Sequence, residues 1–240
     1  MGVYNKTKKL VRRLSGHEVW SRSELTCPIK AVHNWCICPV GIDCDSTVFS
    51  LGIGNDIGFD TGMIELYGTT VHAFDPTPRW VKWIGTLELP EQFHFHPYAI
   101  GNRDGEMRLY PRMPKGRKST TMMTLVNEGA SEDEGIIVPV RSLRSLVRQF
   151  GVESVDILKM DIEAAEYDVI DDFLENGVPV YQLLVEFHHR FRSVPVKKTR
   201  DALESLFKKG YRIFYISEKA REYSLIHLET YERYLSGNVG

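Results

Sequence analysis

The feature that most constrains this sequence is a glycine-rich turn directly after a short apolar run, within residues 47–60. The turn reads Gly52-Ile53-Gly54, a helix-like segment follows it, and a second apolar run from Val71 ends at Asp75. This order predicts one βαβ unit with a carboxylate at the tip of its second strand. Backbone at such glycines can approach a ligand closely, and the carboxylate can accept hydrogen bonds from ribose hydroxyls. The unit therefore predicts a pocket for a nucleoside-containing cofactor.

Composition places the chain among globular proteins and argues against several function classes. Of its 240 residues, 42% are hydrophobic and 26% are charged, which predicts one large packed α/β domain. The formal net charge of −2 does not suit a protein that wraps a polyanion, so a nucleic acid partner is not expected. No apolar stretch reaches the roughly 18 residues of a membrane span, and residues 1–15 lack the apolar core of a secretory signal. A cytoplasmic protein is expected, and its oligomeric state is not indicated.

Residues 1–46 differ from the rest of the chain and are predicted to form an N-terminal cap. This segment is basic near its start and carries all four cysteines, Cys27, Cys36, Cys38 and Cys44. The spacing of Cys36 and Cys38 is one residue too short for the paired cysteines of a zinc site. Reduced thiols packed against the main domain are therefore expected.

From residue 47 onward, short apolar runs alternate with helical patterns, which is typical of a parallel sheet. The last two strands are joined only by residues 218–221, which predicts an antiparallel hairpin at one edge. We expect an α/β fold: a doubly wound, mostly parallel seven-stranded sheet that ends in an antiparallel hairpin. Strands are predicted near 48–52, 71–75, 93–98, 155–160, 180–187, 211–216 and 223–228, and helices near 58–67, 77–86, 142–150, 164–175 and 199–209.

An insertion at 102–140 interrupts this alternation. It opens with turn-forming residues and a short strand at 106–110, after which residues 113–135 show no regular pattern. A loop this long is uncommon in a compact domain and often forms a lid over a binding site. A lid and a solvated surface excursion are both compatible with the sequence.

The spacing of the glycines favours S-adenosylmethionine over a dinucleotide. The dinucleotide fingerprint is Gly-x-Gly-x-x-Gly, whereas Gly58 falls one position late. Asn55 and Asp56 follow the second glycine, and an acidic side chain is unfavourable beside a pyrophosphate. A carboxylate does suit a cofactor that carries an amino group and a sulfonium, because opposite charges attract in a partly desolvated cleft. An NAD(P)-dependent oxidoreductase is the alternative.

A second acidic group lies where the fourth strand of the sheet should run into a helix. Asp161, Glu163 and Glu166 follow the apolar run that ends at Met160. Ligands of open α/β sheets gather beyond the carboxyl ends of the strands, so Asp161 should face the same crevice as Asp75. For Glu163 and Glu166 the alternative is a favourable charge at the positive end of the helix.

The next strand also ends in polar side chains. Glu186 and His188 are two residues apart, so their side chains share one face of the strand. A carboxylate and an imidazole at this edge are candidates for a general base or for metal ligands. If a divalent metal assists, Asp161, Glu186 and His188 are its expected ligands, but the sequence does not favour a metal.

These segments resemble the FkbM family of S-adenosylmethionine-dependent methyltransferases. The resemblance spans about residues 48–228 and is most specific at 158–167, where the family typically reads Lys-x-Asp-x-Glu-Gly-Ala-Glu. The chain has Ala164 in place of that glycine, a change that the fold tolerates unless the backbone there needs a positive φ. The segments that carry the resemblance are 51–60, 73–78, 99–101 with 104–105, 158–167, 185–188 and 222–226.

The resemblance implies a class I methyltransferase domain over residues 47–240, with S-adenosylmethionine in its crevice. It places the methionine part of the cofactor at the glycine turn, the ribose at Asp75 and the adenine near Ala99 and Ile100 at the end of strand three. Asp161 would lie nearest the transferred methyl group. The implied cofactor-binding residues are Gly52, Ile53, Gly54, Asn55, Asp56, Asp75, Pro76, Ala99, Ile100 and Asp161.

The resemblance also implies methyl transfer to a hydroxyl oxygen of a sugar, a glycan or a small-molecule natural product. An alcohol must lose its proton as the new bond forms, so a base should lie beside the acceptor. Asp161 or His188 is the expected base, with Glu163 and Glu186 orienting the acceptor. A catalytically inactive cofactor-binding module of the same fold is a further alternative, for which Ala164 is the only indication.

Overall fold

A seven-stranded sheet with helices on both faces forms the centre of the chain in the computed structural model, which describes residues 7, 10–113, 116–119, 121–127, 129–191 and 193–237. Its helices and strands follow the alternation that the sequence predicts. The strands are β1 (Lys30–Val32), β2 (Trp35–Ile37), β3 (Thr47–Leu51), β4 (Thr70–Phe74), β5 (Phe93–His96), β6 (Ala99–Gly101), β7 (Gly105–Pro111), β8 (Met123–Thr124), β9 (Ile136–Ser142), β10 (Val155–Met160), β11 (Val180–Glu186), β12 (Tyr211–Ile216) and β13 (Glu222–His227). The helices are α1 (Gly58–Tyr67), α2 (Pro78–Ile84), α3 (Leu143–Phe150), α4 (Glu166–Asn176), α5 (Val196–Lys208) and α6 (Leu228–Leu235), with a 3₁₀ turn at Glu132–Glu134.

The strand order of the large sheet is β12-β13-β11-β10-β3-β4-β5. Strands β5, β4, β3, β10 and β11 pair in parallel, whereas β13 is antiparallel to both β11 and β12. The predicted doubly wound, mostly parallel sheet with an antiparallel hairpin at its edge is therefore confirmed. Strands β4 and β5 follow β3 on one side of it in the sheet. Strands β10 and β11, which come later in the chain, lie on its other side. The switch point of the sheet thus falls between β3 and β10.

The central strands are apolar because helices cover the sheet on both sides. Alternate residues of a strand point to opposite faces, so Phe49 and Leu51 pack in the cluster with α4 and α5, and Val48 packs in the cluster with α1. All five residues of β3 are buried, as is typical of a parallel strand. Since both faces are covered, the carboxyl ends of β3 and β10 are where side chains can reach a ligand.

The insertion contains more structure than the sequence predicts. A second, four-stranded sheet has the order β6-β9-β7-β8, in which β6 and β9 are parallel. The prediction that Ala99 and Ile100 end strand three is wrong, because β5 ends at His96 and both residues belong to β6. A turn in which the Tyr98 N–H donates to the His96 carbonyl oxygen (3.0 Å) separates the two strands. The helix expected at 142–150 is α3, which begins directly after β9.

The predicted N-terminal cap contributes the β1–β2 hairpin and further chain that packs on the large sheet. The Cys38 N–H donates to Gln182 Oε1 (2.9 Å) and Gln182 Nε2 donates to the Cys38 carbonyl oxygen (2.7 Å), which fixes the hairpin beside β11. All four cysteines are free thiols. Residues 1–6, 8 and 9 of the predicted cap lie outside the described residues. In the part of the chain that the structure describes, no helix combines the length and apolar character needed to cross a membrane.

Candidate active site

The turn between β3 and α1 has a backbone conformation that favours glycine. Gly52 has a φ of 76° and Gly54 a φ of 56°, both in the left-handed region that other residues enter at a cost. The Gly52 N–H donates to the carbonyl oxygen of Phe74 on β4 (2.8 Å), which holds the turn at the carboxyl ends of the strands. The glycines of the predicted cofactor turn therefore lie at the switch point of the sheet, where α/β folds bind ligands.

Asp75, at the end of β4, is almost fully buried and is oriented by two backbone donors. Its Oδ2 accepts the N–H of Gly54 (2.9 Å) and its Oδ1 accepts the N–H of Thr77 (2.9 Å). Burial raises the pKa of this carboxyl group, although the two hydrogen bonds act in the opposite direction. Helix α2 begins at Pro78 with Thr77 as its N-cap, so Asp75 is not the cap of that helix. Each Asp75 oxygen keeps a second lone pair that can accept a hydrogen bond from a ligand hydroxyl.

A cavity of about 280 Å³, here called the first cavity, lies above this turn. Phe74, Trp80 and Tyr98 add aromatic walls that the sequence did not single out, and such walls suit a planar base. All ten residues that were predicted to bind the cofactor line this cavity, while their individual roles remain predictions. They are Gly52, Ile53, Gly54, Asn55, Asp56, Asp75, Pro76, Ala99, Ile100 and Asp161.

Residues of the insertion cover the first cavity. Thr121, Met122, Met123, Thr124 and Leu125, at and beside β8, all line it. No pattern in this stretch marks it as part of a binding site, because the contacts depend on the pairing of β8 with β7. Between the two interpretations of the insertion, its position favours the lid.

Two side chains of the insertion contact Glu163 of the acidic segment. Thr124 Oγ1 donates to the backbone carbonyl oxygen of Glu163 (2.6 Å), and the guanidinium group of Arg112 pairs with the Glu163 carboxylate. Arg112 also lies over the ring of Phe191, 3.2 Å from its centroid. Glu163 thus anchors the residues of the insertion that line the first cavity (121–125), here called the roof. The sequence did not indicate this role.

The chain turns sharply between β10 and α4 through two residues with positive φ. Glu163 has a φ of 51° and Ala164 a φ of 82°. Position 164 therefore needs a positive φ, and this is the case in which alanine in place of the family's glycine matters. A left-handed conformation costs an ordinary residue about 1–2 kcal/mol. The change leaves the fold intact but strains this turn, and α4 begins at Glu166, two residues later than the sequence predicts.

His188 follows β11 and lies among the carboxylates of the acidic segment. Its Nε2 is 3.6 Å from Asp161 Oδ1 and 3.9 Å from Glu163 Oε2. Its Nδ1 is 3.2 Å from Glu166 Oε1, which also accepts the His188 backbone N–H (2.9 Å). Asp161, Glu186 and His188 each offer a ligand atom within 4.8 Å of the others, so they could hold a metal ion. The four residues predicted for catalysis are therefore brought together.

The charges in this cluster determine which group can act as a base. Burial lowers the pKa of His188, but the hydrogen bond to Glu166 and the charges of Glu166, Asp161 and Glu163 raise it overall to about 9. Burial and the charge of Asp161 raise the pKa of Glu186 to about 7. An imidazole that is protonated at neutral pH cannot accept the proton of a hydroxyl group. Of the two bases expected from the sequence, Asp161 is therefore the better candidate.

A second cavity of about 450 Å³ lies on the other side of Asp161. Asp161 and Glu186 line it, together with the largely buried Lys159 and with Trp35 of the β1–β2 hairpin. The Lys159 ammonium group donates to the carbonyl oxygen of Gly52 (3.3 Å) and so supports the glycine turn. The turn and Asp161 line both cavities and form the wall between them. Sequence reasoning missed the hairpin, because it carries no recognisable motif.

Asp56 connects the hairpin to the glycine turn. Its Oδ2 lies 2.8 Å from Nε2 of His33, and its Oδ1 accepts the N–H of Gly58 (2.9 Å). Burial acts to raise the pKa of Asp56, but the hydrogen bonds from Gly58 and His33 lower it overall. This carboxylate is therefore charged at neutral pH and lines both cavities.

Comparison with known proteins gives a family match and several relatives. The sequence model of the family described as Methyltransferase FkbM domain matches residues 43–213. The human protein named probable methyltransferase-like protein 24 is 26% identical over 179 residues, which cover 70% of this chain and 42% of that protein. The chain thus spans less than half the length of the curated relatives that it matches.

The solved structures that the chain matches are more distant in sequence. The methyltransferase FkbM of Methylobacillus flagellatus has a TM-score of 0.44 and 10% identity, over 77% of this chain and 44% of that one. The fibrillarin pre-rRNA processing protein of Methanococcus jannaschii has a TM-score of 0.48 and 11% identity, over 83% of this chain and 70% of that one.

Proposed function

This chain belongs to the FkbM methyltransferase family, and from that premise we propose that it transfers a methyl group from S-adenosylmethionine to a hydroxyl oxygen. The acceptor class that we propose is a sugar, a glycan or a small-molecule natural product. One observation carries the proposal: Asp161 lines both cavities, so a donor in the first and an acceptor in the second would meet at a carboxylate.

The first cavity supplies what S-adenosylmethionine needs. The aromatic walls suit its adenine, and the Asp75 carboxylate can accept hydrogen bonds from the ribose diol. Asp56 and Asp161 place negative charge at the end where the amino group and the sulfonium would lie. The same acidic end disfavours the pyrophosphate of NAD(P), which is the alternative that the glycine spacing left open.

The transfer is an in-line displacement at the methyl carbon. A lone pair of the acceptor oxygen forms the new bond as the carbon–sulfur bond breaks, and its electrons return to sulfur to give neutral S-adenosylhomocysteine. The hydroxyl proton passes to Asp161, a step that is typically worth about 10²–10⁴-fold in rate. The main contribution of the two cavities is alignment, which can supply about 7–11 kcal/mol at best.

Calorimetry with S-adenosylmethionine tests the donor half of this proposal. We expect saturable binding, and we expect Asp75→Ala to weaken it by about tenfold or more because ribose hydrogen bonds are lost. Glu65→Ala, which removes an exposed carboxylate from α1, is the matched control and should bind normally. No binding, or equal affinity in the Asp75 variant, would contradict the assignment. Quenching of NADPH fluorescence by the protein would favour the oxidoreductase instead.

A transfer assay tests the acceptor half. The protein is incubated with methyl-labelled S-adenosylmethionine and with hydroxyl-bearing acceptors, either defined sugars or extract fractions. Mass spectrometry then detects the gain of one labelled methyl group on the acceptor. Saturable cofactor binding without any transfer to this range of acceptors would favour the inactive binding module, and labelled nitrogen or carbon would overturn the choice of oxygen.

A further inference from the structure

We propose that Asp161, Glu186 and His188 bind one divalent metal ion at the wall between the two cavities. The site itself follows from the arrangement of these three side chains. Its catalytic role, to hold the acceptor oxygen beside the methyl donor, rests on the proposed methyl transfer.

The geometry of the three residues suits a metal. One ligand atom from each lies within 4.8 Å of the others, so a small ion between them would need only modest side-chain movement. Asp161 comes from the end of β10 and Glu186 and His188 from the end of β11, two adjacent strands of the rigid central sheet. All three ligands therefore lie within two residues of the end of a strand, which limits their movement.

The orientation of His188 is a second, independent indication. Its side chain is only 6% exposed, and both its Nδ1 and its backbone N–H are held by the same oxygen of Glu166. Metal-binding histidines usually donate their second ring nitrogen to a carboxylate in this manner. Nε2 then points toward Asp161, at 3.6 Å, which exceeds hydrogen-bonding distance. Among the described residues no hydrogen bond engages Nε2, so this nitrogen is directed at the site.

Acidic side chains outnumber basic ones around His188. Four carboxylates, Asp161, Glu163, Glu166 and Glu186, surround the imidazole. Three basic side chains oppose them: Arg112 pairs with Glu163, Arg221 lies 3.5 Å from Glu186, and Lys159 lines the second cavity with Asp161 and Glu186. Imidazole binds metals in its neutral form, so an ion would replace the Nε2 proton and supply the positive charge in its place.

The ligand set indicates the kind of metal and the kind of acceptor. One imidazole nitrogen with two carboxylates suits Mn²⁺, Fe²⁺ or Zn²⁺ better than Ca²⁺, which prefers oxygen alone. Three protein ligands leave coordination positions free on an octahedral ion. Asp161 and Glu186 line the second cavity, so we place the free positions there. An acceptor with two adjacent oxygens, such as the vicinal diol of a sugar, could occupy both.

Mn²⁺ binding to the full chain tests the site without any methyl donor. Isothermal titration and electron paramagnetic resonance should find one saturable Mn²⁺ per chain. Asp161→Asn, Glu186→Gln and His188→Gln should each weaken binding by about tenfold or more, because each removes one ligand. Glu218→Gln, which removes an exposed carboxylate from the second cavity, is the matched control and should change affinity by less than about twofold.

A spectroscopic measurement on the unaltered chain does not depend on how well the variants fold. Electron spin echo modulation of bound Mn²⁺ should contain coupling to a directly bound nitrogen, which ¹⁵N-labelled histidine identifies. Absence of one saturable site, or saturable Mn²⁺ without nitrogen coupling, would overturn the proposal. Equal weakening by Glu218→Gln and Glu186→Gln would also overturn it, because the ion would then be held only by diffuse negative charge.

The two proposals fail in different experiments. Loss of S-adenosylmethionine binding would remove the methyltransferase proposal while leaving a measured Mn²⁺ site intact. Methyl transfer that is unaffected by removal of metal with a chelator, in a chain that binds no Mn²⁺, would remove the metal site alone.

Discussion

A Cβ atom added to Gly52 would lie 1.9 Å from the backbone carbonyl oxygen of Asp161. This contact arises because β3 and β10 are neighbours at the switch point, where the Asp161 N–H donates to the carbonyl oxygen of Leu51 (3.0 Å). The donor turn and the acidic segment are therefore packed backbone against backbone.

Gly52→Ala should destabilise the protein by about 3 kcal/mol, since it combines a backbone clash with a left-handed φ. Gly54→Ala is the matched control, because Gly54 also has a positive φ but its added Cβ would meet no atom within 4 Å. That variant should lose about 1 kcal/mol. Chemical denaturation measures both values. Equal losses of stability would show that the clash with the Asp161 carbonyl oxygen adds nothing to the cost of the substitution.

Ala164→Gly should stabilise the protein. Ala164 has a φ of 82°, which glycine adopts without strain, so we expect a gain of about 1 kcal/mol and a rise of roughly 2–4 °C in Tm. Ala202→Gly, in the interior of α5, should instead cost about 1 kcal/mol. Thermal melting distinguishes the two, and a lower Tm for Ala164→Gly would mean that the turn is not strained.

Asp161→Asn should reduce turnover far more than it reduces donor binding. The amide keeps the size of the side chain but loses its charge and its ability to accept a proton. We expect kcat to fall by about 10²–10⁴-fold, whereas the affinity for S-adenosylmethionine should fall by a much smaller factor, because Asp56 keeps a negative charge at that end of the first cavity. Glu65→Ala, which lies outside both cavities, again provides the control. Full activity in the Asn variant would remove Asp161 from the mechanism.

Arg112→Ala should loosen the roof of the first cavity. The largely buried guanidinium group holds Glu163 and covers Phe191, so its loss should weaken donor affinity by about tenfold and expose residues 121–127 to protease. Arg108→Ala removes a partly exposed pair with Glu132 in the same insertion and should change affinity by less than about twofold. Unchanged affinity and unchanged proteolysis in the Arg112 variant would show that the roof does not depend on this pair.

Acid should destabilise the protein partly through Glu18. Burial opposes ionisation, but the hydrogen bonds from His189 and Arg190 lower the pKa of Glu18 to about 2. In the unfolded chain the pKa of Glu18 has its higher, ordinary value. The ionised side chain therefore stabilises the fold fully at pH values above this unfolded-state pKa. This contribution is lost as the pH falls towards 2.

Removing the Glu18 charge isolates the contribution of this side chain to the free energy of unfolding. Glu18→Gln should cost about 2 kcal/mol at neutral pH and flatten the decline of stability at acid pH. Denaturation curves at several pH values measure both effects. A variant that declines as steeply as the original chain would place the acid-sensitive group elsewhere.

Local patterns predicted the central sheet well, because its strands and helices are long and periodic. Helix 58–67 and strands 155–160 and 211–216 have the predicted bounds. The residues of the first cavity could also be predicted, since they lie at the carboxyl ends of neighbouring parallel strands.

The remaining features depend on contacts between residues distant in the chain. Strand β6 has only three residues and forms because it pairs with β9, about 40 positions later. No local sequence pattern predicts such a strand. Glu166 has the sequence position of a helix-dipole charge but is fully buried against His188. The pairing of Arg112 with Glu163 likewise requires the insertion to fold back on the main sheet.

The β1–β2 hairpin lines the second cavity and not the first. On the proposed function, substitutions at Trp35 would change which acceptor the second cavity admits, whereas substitutions at His33 would also disturb Asp56 of the glycine turn. A short hairpin more than a hundred residues before Asp161 in the sequence thus forms part of the cavity that we propose for the acceptor.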